Sequence, residues 1–270
     1  MKKLMIAATA AFCATVSFAE LASANIVGYN TVTLTEKWTI LGVNFTGVDG
    51  NAMSINDAIP YADGMVKGAN VNTADQIQIQ DGNGGYNTYY MSNGKNAKGN
   101  IVDGLEGKWA KAGTTAPSTD TINNGTAFWY CRTTLEAGAP NLTLTIAGAV
   151  STLASSDKQI SETWVHIANP YPTDLSLNDG IPFTTGMTKG ANINDADQIQ
   201  IQDGAGGYVT YYMSNGKNAK GNTVSGLEGK WAKAGTTTAT TDAIPAGKGA
   251  WFCRKGSEPI TLTIASPIAE

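Results

Sequence analysis

The chain has 270 residues, of which 15% are charged, with 18 Lys+Arg against 22 Asp+Glu and 31 glycines. That length has room for about two domains of ordinary size. A formal net charge of -4 excludes a surface built to displace counterions from a nucleic-acid backbone, and long heptad or Ala/Glu/Lys-rich windows are absent after the first 24 residues, which excludes a mainly helical chain.

Met1 to Ala24 reads as a signal peptide: Lys2 and Lys3 give the positive start, Leu4 to Phe18 the apolar run, and Ala22-Ser23-Ala24 a small-residue cleavage site. Cleavage after Ala19 is a second option. An uncleaved anchor would need about 20 apolar residues, and this run breaks at Glu20. Phe12, directly before Cys13, is too bulky for a lipoprotein attachment site. Removal leaves 16 Lys+Arg against 21 Asp+Glu, a formal charge of -5. The expected destination is extracellular, the cell surface or the periplasm, with no transmembrane segment in the mature chain.

The mature chain is a tandem duplication. Asp75 to Thr115 returns from Asp197 to Thr237 at a constant offset of 122, with 37 of 41 positions identical. The predicted organisation is a first repeat over 25–148 and a second over 149–270.

Asn25 to Leu34 and Trp38 to Phe45 read as opening strands, with counterparts in Ala147 to Leu153 and Trp164 to Pro170. The tryptophans are 126 apart rather than 122, which places four extra residues in the first copy, in the loop from Gly47 to Ala52. Ser54 to Pro60 and Ser176 to Pro182 follow, each a serine-capped helical turn or a short turn ended by proline. In QIQIQ, Ile77 and Ile79 share one face and Gln76, Gln78 and Gln80 the other. The glycine-rich loops DGNGG and DGAGG reverse the chain. The returning strands put Tyr86, Thr88 and Tyr90, and Tyr208, Thr210 and Tyr212, on the glutamine face. Each copy then has a long turn-rich loop, a Lys-Trp-Ala segment and a closing hairpin, AFWYCR with NLTLTIAG and AWFCRK with ITLTIAS. With no flexible linker between the repeats, rigid stacking is expected. The fold expected is all-β, two similar antiparallel sandwich or barrel-like domains of about seven or eight short strands each.

The layout of NIVGY, an apolar strand, an ND-x-IP turn, the ADQIxxxDGxGGYxTYY hairpin, a Lys-Trp segment and a terminal AFW-aromatic-CR with LTLTIAG resembles a broad group of uncharacterised exported bacterial tandem β-repeat proteins. The resemblance covers nearly the whole mature chain. It implies export and architecture, and no activity is established for that group.

Two cysteines remain, Cys131 and Cys253, again 122 apart. An inter-repeat disulfide would need their Cα atoms within about 7 Å; the preferred alternative is two buried thiols packing as small hydrophobes. The only histidine, His166, has no histidine counterpart near Leu41, so a nucleophile-histidine device could exist in one repeat at most. Asp75 with Glu106 and Asp197 with Glu228 are the carboxylate pairs to test for hydrolysis. The DGNGG and DGAGG loops offer one carboxylate each, too few for calcium. No enzyme activity, cofactor or metal is expected.

The candidate ligand surface is Lys95, Lys98, Lys108 and Lys111 with Trp109, Tyr86 and Tyr90, repeated as Lys217, Lys220, Lys230 and Lys233 with Trp231, Tyr208 and Tyr212. It offers rings for stacking and charge for an anion; the alternative is that the lysines keep loops soluble and each tryptophan packs its loop onto the sheet. The functions expected are a secreted or cell-surface structural or adhesive protein acting through its twin domains, by self-association, or a pair of carbohydrate-binding modules for an extracellular polysaccharide, acidic glycans such as uronic or sulfated ones among the candidates.

Overall fold

A computed structural model describes residues 26–134 and 141–268; the predicted signal peptide lies outside the described residues. The described chain is nearly all β and forms two similar antiparallel sandwich-like units. Among the described residues no helix is long and apolar enough to cross a membrane.

The first unit contains β1 (Val27–Leu34), β2 (Trp38–Gly42), β3 (Met53–Ser54), the single-turn helix α1 (Ile55–Ala58), β4 (Gln76–Gln80), β5 (Tyr86–Met91), β6 (Trp109–Lys111), β7 (Thr121–Ile122), β8 (Ala127–Cys131) and β9 (Leu142–Ala149). The second contains β10 (Ser155–Ile160), β11 (Trp164–Ala168), β12 (Leu175–Ser176), α2 (Leu177–Gly180), β13 (Gln198–Gln202), β14 (Tyr208–Met213), β15 (Trp231–Lys233), β16 (Ala243–Ile244), β17 (Gly249–Cys253) and β18 (Ile260–Ala265). Each unit has a five-stranded sheet, in the order β2-β8-β4-β5-β6 or β11-β17-β13-β14-β15. Its inner face packs on the two-stranded ribbon β1-β9 or β10-β18, with a small β3-β7 or β12-β16 ladder completing the layer. This is a sandwich, so the barrel alternative falls away.

Alternation builds the core. Ile77, Tyr89, Met91, Trp109, Phe128 and Tyr130 face inward onto Val32, Leu34, Leu142, Leu144 and Ile146 of the ribbon. The pairings Gln76 with Tyr90, Gln78 with Thr88 and Gln80 with Tyr86 place the glutamines and alternate β5 residues together on the outer face. The turn between them is closed by Asp81, whose Oδ1 accepts from the backbone N–H groups of Asn83 (2.8 Å) and Gly85 (2.9 Å). Ser54 caps α1 by accepting from Asp57 N–H at 3.1 Å. The β2 to β3 connection covers residues 43–52 and the β11 to β12 connection 169–174, the four-residue difference read from the sequence.

One expectation is corrected. The strand that opens the second unit is Ser155–Ile160, and the stretch matched to it in the sequence instead ends β9 and forms the connection that follows. β10 was hidden because its Ser-Ser-Asp-Lys-Gln run has one fully buried apolar side chain, Ile160. The two units meet through a reciprocal pair of side-chain clasps. Gln80 Oε1 accepts from His166 N–H (2.7 Å) while its Nε2 donates to Trp164 O (3.1 Å). Reciprocally, Gln202 Oε1 accepts from Ile40 N–H (2.7 Å) and its Nε2 donates to Trp38 O (2.8 Å). Equivalent residues exchange equivalent bonds in both directions, the signature of an isologous contact about an approximate two-fold axis.

The backbones approach closely at this contact: a Cβ on Gly42 would lie 2.7 Å from the Cβ of Ala168, its counterpart across the axis, and 2.8 Å from Lys248 O. Gly42→Ala is therefore expected to lower stability by about 1–3 kcal/mol. Adding Ala168→Gly, which transfers the methyl across the axis, should recover part of the loss. Urea unfolding of the two variants measures this; equal stability of wild type and Gly42→Ala would refute the tight contact.

Candidate functional site

The residues proposed from sequence divide into three groups. Trp109 and Trp231 are fully buried, each ring within its core and each indole N–H donating to a carbonyl, Ile59 O or Ile181 O, at 2.6 Å. They cannot stack on a ligand, which corrects the surface drawn from the sequence. Their side follows from register, since Trp109 pairs with inward-facing Met91 and Trp231 with Met213. Tyr90 and Tyr212 are also buried, under the Ala74/Leu105/Ala110 and Ala196/Leu227/Ala232 clusters, with hydroxyls donating to Thr114 O and Thr236 O.

The lysines do lie on the surface. Lys95, Lys98, Lys108, Lys217, Lys220, Lys230 and Lys233 are exposed, and half-buried Lys111 pairs with Asp120 at 3.1 Å. Their loops join β5 to β6 and β14 to β15, on the far side of each sheet from β2 and β11. Trp38 and Trp164 lie on β2 and β11, four inter-strand steps of about 4.8 Å, roughly 19 Å, from β6 and β15, whereas Tyr86 and Tyr208 lie on β5 and β14, one step away. The exposed lysines therefore lie well away from the Trp38 and Trp164 rings.

Tyr86 and Tyr208, each 40% exposed, join a ring cluster that the sequence reading missed. Phe128 and Tyr130 point inward, so Trp129 between them must point outward; the same alternation turns Trp251 out beside Phe252. Trp38 and Trp164 lie on the same outer faces and remain 38% and 41% exposed. Ring centroids run Trp38 to Trp129 at 5.9 Å, Trp129 to Trp251 at 6.1 Å and Trp251 to Trp164 at 5.8 Å, all steeply inclined edge contacts. Burial raises the pKa of Tyr86 and Tyr208, and the nearby Trp129 and Trp251 indoles act in the opposite direction. The cluster thus crosses the two-fold axis, partly buried at its centre and half-exposed at both ends. Gln76, Gln78 and Thr88 on one side, and Gln200 and Thr210 on the other, continue the faces beside it as half-buried amides and hydroxyls.

The two carboxylates of each pair lie in unlike surroundings. Asp75 is fully buried, accepting from Thr133 N–H (2.8 Å), Val66 N–H (3.2 Å) and the Tyr130 hydroxyl (2.9 Å), while burial raises its pKa. Asp197 accepts from Lys255 N–H (2.7 Å) and Thr188 N–H (3.0 Å). Glu106 and Glu228 point outward and pair with Lys67 and Lys189, each at 2.7 Å. Cys131 and Cys253 are buried and free, so the disulfide is not formed and the packing alternative describes them.

His166 takes the place across the axis that Ile40 holds in the first unit, as the glutamine bonds show. It is 1% exposed, its ring centroid 3.9 Å from that of Trp251, and neither ring nitrogen has a hydrogen-bond partner. Burial, assisted by the Lys158 ammonium, pulls its pKa from 6.5 down to about 3. The unfolded chain takes up this proton near pH 6.5 and the folded chain near pH 3, so stability falls as pH falls through that window. The slope from this group should approach 1.4 kcal/mol per pH unit, roughly, between those limits. His166→Ile, copying the first unit, is expected to remove that component. Denaturant midpoints of both proteins at pH 7 and pH 4 would show a gap that widens in acid; a constant gap would refute it.

Compared with known protein families, curated proteins and solved structures, the chain gives no match.

Proposed function

We propose that the protein is an exported, non-enzymatic adhesive protein whose twin β units hold an extracellular polysaccharide. The observation that carries the reading is the half-exposed ring set Trp38, Tyr86, Trp164 and Tyr208 beside rows of glutamine and threonine on the outer sheet faces. Sugar rings present apolar C–H faces that pack on indole and phenol rings, and hydroxyls that pair with amide groups able both to donate and to accept. Two equivalent faces in one rigid chain engage a repeating polymer twice, so weak single contacts gain avidity. The N-terminal segment, with its basic start, apolar run and Ala-Ser-Ala site, supports export.

With the mature chain beginning at Asn25, retention on a panel of neutral, uronic-acid and sulfated polysaccharides tests this reading. Trp38→Ala with Trp164→Ala is expected to weaken retention at least tenfold while the far-UV circular dichroism is unchanged. No retention by the wild type, or equal retention by the variant, would overturn it.

Self-association is the second reading, favoured by the apolar end of the β1-β9 ribbon, where Ile26, Val27 and Tyr29 are 63%, 62% and 74% exposed. Sedimentation over a wide concentration range should then show large assemblies that Tyr29→Lys disperses. A monomer at every concentration would remove it.

A further inference from the structure

A pocket of about 270 Å³ lies in the seam between the units, walled by Glu36, Thr39 and Ile40 of the first and Gln202, Pro245 and Lys248 of the second. It is smaller than the roughly 300–1,000 Å³ of sites for drug-sized ligands, and has room for one sugar ring. Its walls are fixed. Glu36 accepts from Gly206 N–H at 2.9 Å and from Gln202 Nε2 at 3.0 Å. The Lys248 backbone is held by both units: it bridges Leu41, its carbonyl accepts from Asn169 N–H at 3.2 Å, and Gly42 N–H donates to Gly247 O at 3.0 Å.

Two polar groups there are unspent. Lys248 is half-buried and makes no ion pair within 4.0 Å among the described residues; burial lowers its pKa even though the Glu36 carboxylate acts to raise it. Thr39 is 4% exposed and its hydroxyl has no hydrogen-bond partner. A buried hydroxyl without a partner and a desolvated ammonium without a direct ion pair are both costly to leave so. Neither recurs across the axis, where Val165 stands for Thr39, Thr126 for Lys248, Asn123 for Pro245 and His166 for Ile40. The pocket is built once per chain, although the sheet faces are built twice.

We propose that this seam pocket binds one uronic-acid residue of the polysaccharide, with its carboxylate on the Lys248 ammonium and a ring hydroxyl donating to Glu36. The inference rests on the glycan reading above and names the sugar class for it. The carboxylate supplies Lys248 with a charge-assisted hydrogen bond, Glu36 retains lone pairs for sugar hydroxyls, and Ile40 and Pro245 offer an apolar wall to the C–H face. Because the site is single, the acidic residue it holds sets the direction in which the polymer lies across two otherwise equivalent faces.

Calorimetric titration of the mature chain with D-galacturonate and D-glucuronate, using glucose and acetate as controls, tests the pocket directly. One uronate per chain is expected, at least tenfold tighter than glucose or acetate. Lys248→Thr, the residue of the equivalent position, should lose at least tenfold, and Lys248→Arg should keep most of the affinity. Absence of uronate binding, two sites per chain, glucose or acetate binding as tightly, or an unchanged Lys248→Thr would each overturn the proposal. Polysaccharide retention through Trp38 and Trp164 is measured alongside. Retention without uronate binding sinks the pocket and leaves the face reading standing; Lys248-dependent uronate binding without retention does the reverse.

Discussion

A glutamine amide acting as a peptide group holds this molecule together. Each five-stranded sheet ends on a strand whose outward N–H and C=O groups need partners, β2 in the first unit and β11 in the second. Gln80 and Gln202 each offer one carbonyl oxygen and one NH₂ to the other unit's edge, accepting from one residue and donating to the carbonyl two residues earlier. That is the pattern a neighbouring strand would supply, delivered by a side chain, and it shields an edge that would otherwise recruit strands from other molecules. The orientation of the units, the ring cluster across the axis and the seam pocket all follow from these two caps.

Within each unit the same economy of polar groups recurs. Asp75 and Asp197 sit where several backbone N–H groups converge behind the sheet, and Asn56 and Asn178 accept from Trp109 N–H and Trp231 N–H at 2.7 Å while donating to Ser118 O and Thr240 O. These side chains serve loops too irregular to pair with themselves, so long glycine-rich connections can lie against a sheet without stranding buried polar atoms. Several differences between the two units fall at the seam: His166 against Ile40, Lys158 against Val32, Lys248 against Thr126. A symmetric framework has thereby acquired an asymmetric interior.

Much of the fold was legible in the sequence because QIQIQ and its returning strand carry strict alternation, and Asp-Gly and Gly-Gly fix the turn between them. The four-residue insertion was legible from the shifted tryptophan spacing. β10 was not, since its polar run shows one ribbon-facing isoleucine and no period. The face of Trp109 was not legible, because a three-residue strand in a lysine-rich loop has too few positions for alternation to declare one; only its pairing with Met91 does so. Trp38, Trp129, Trp164 and Trp251 were individually readable as outward-facing, yet their convergence depends on the two-fold contact, which duplication at a constant offset does not reveal. A repeat announces that two units are alike and says nothing of the operator that relates them.

That operator has a consequence for growth. Helical-repeat solenoids add modules indefinitely because each module offers a head that the next one's tail accepts. Here each unit's docking strand is consumed by its mate, and each glutamine clasp by the other's edge. A third module spliced onto this gene would find no vacant face of that kind: the valence is one, and two units exhaust it. Duplication has closed a ring of two.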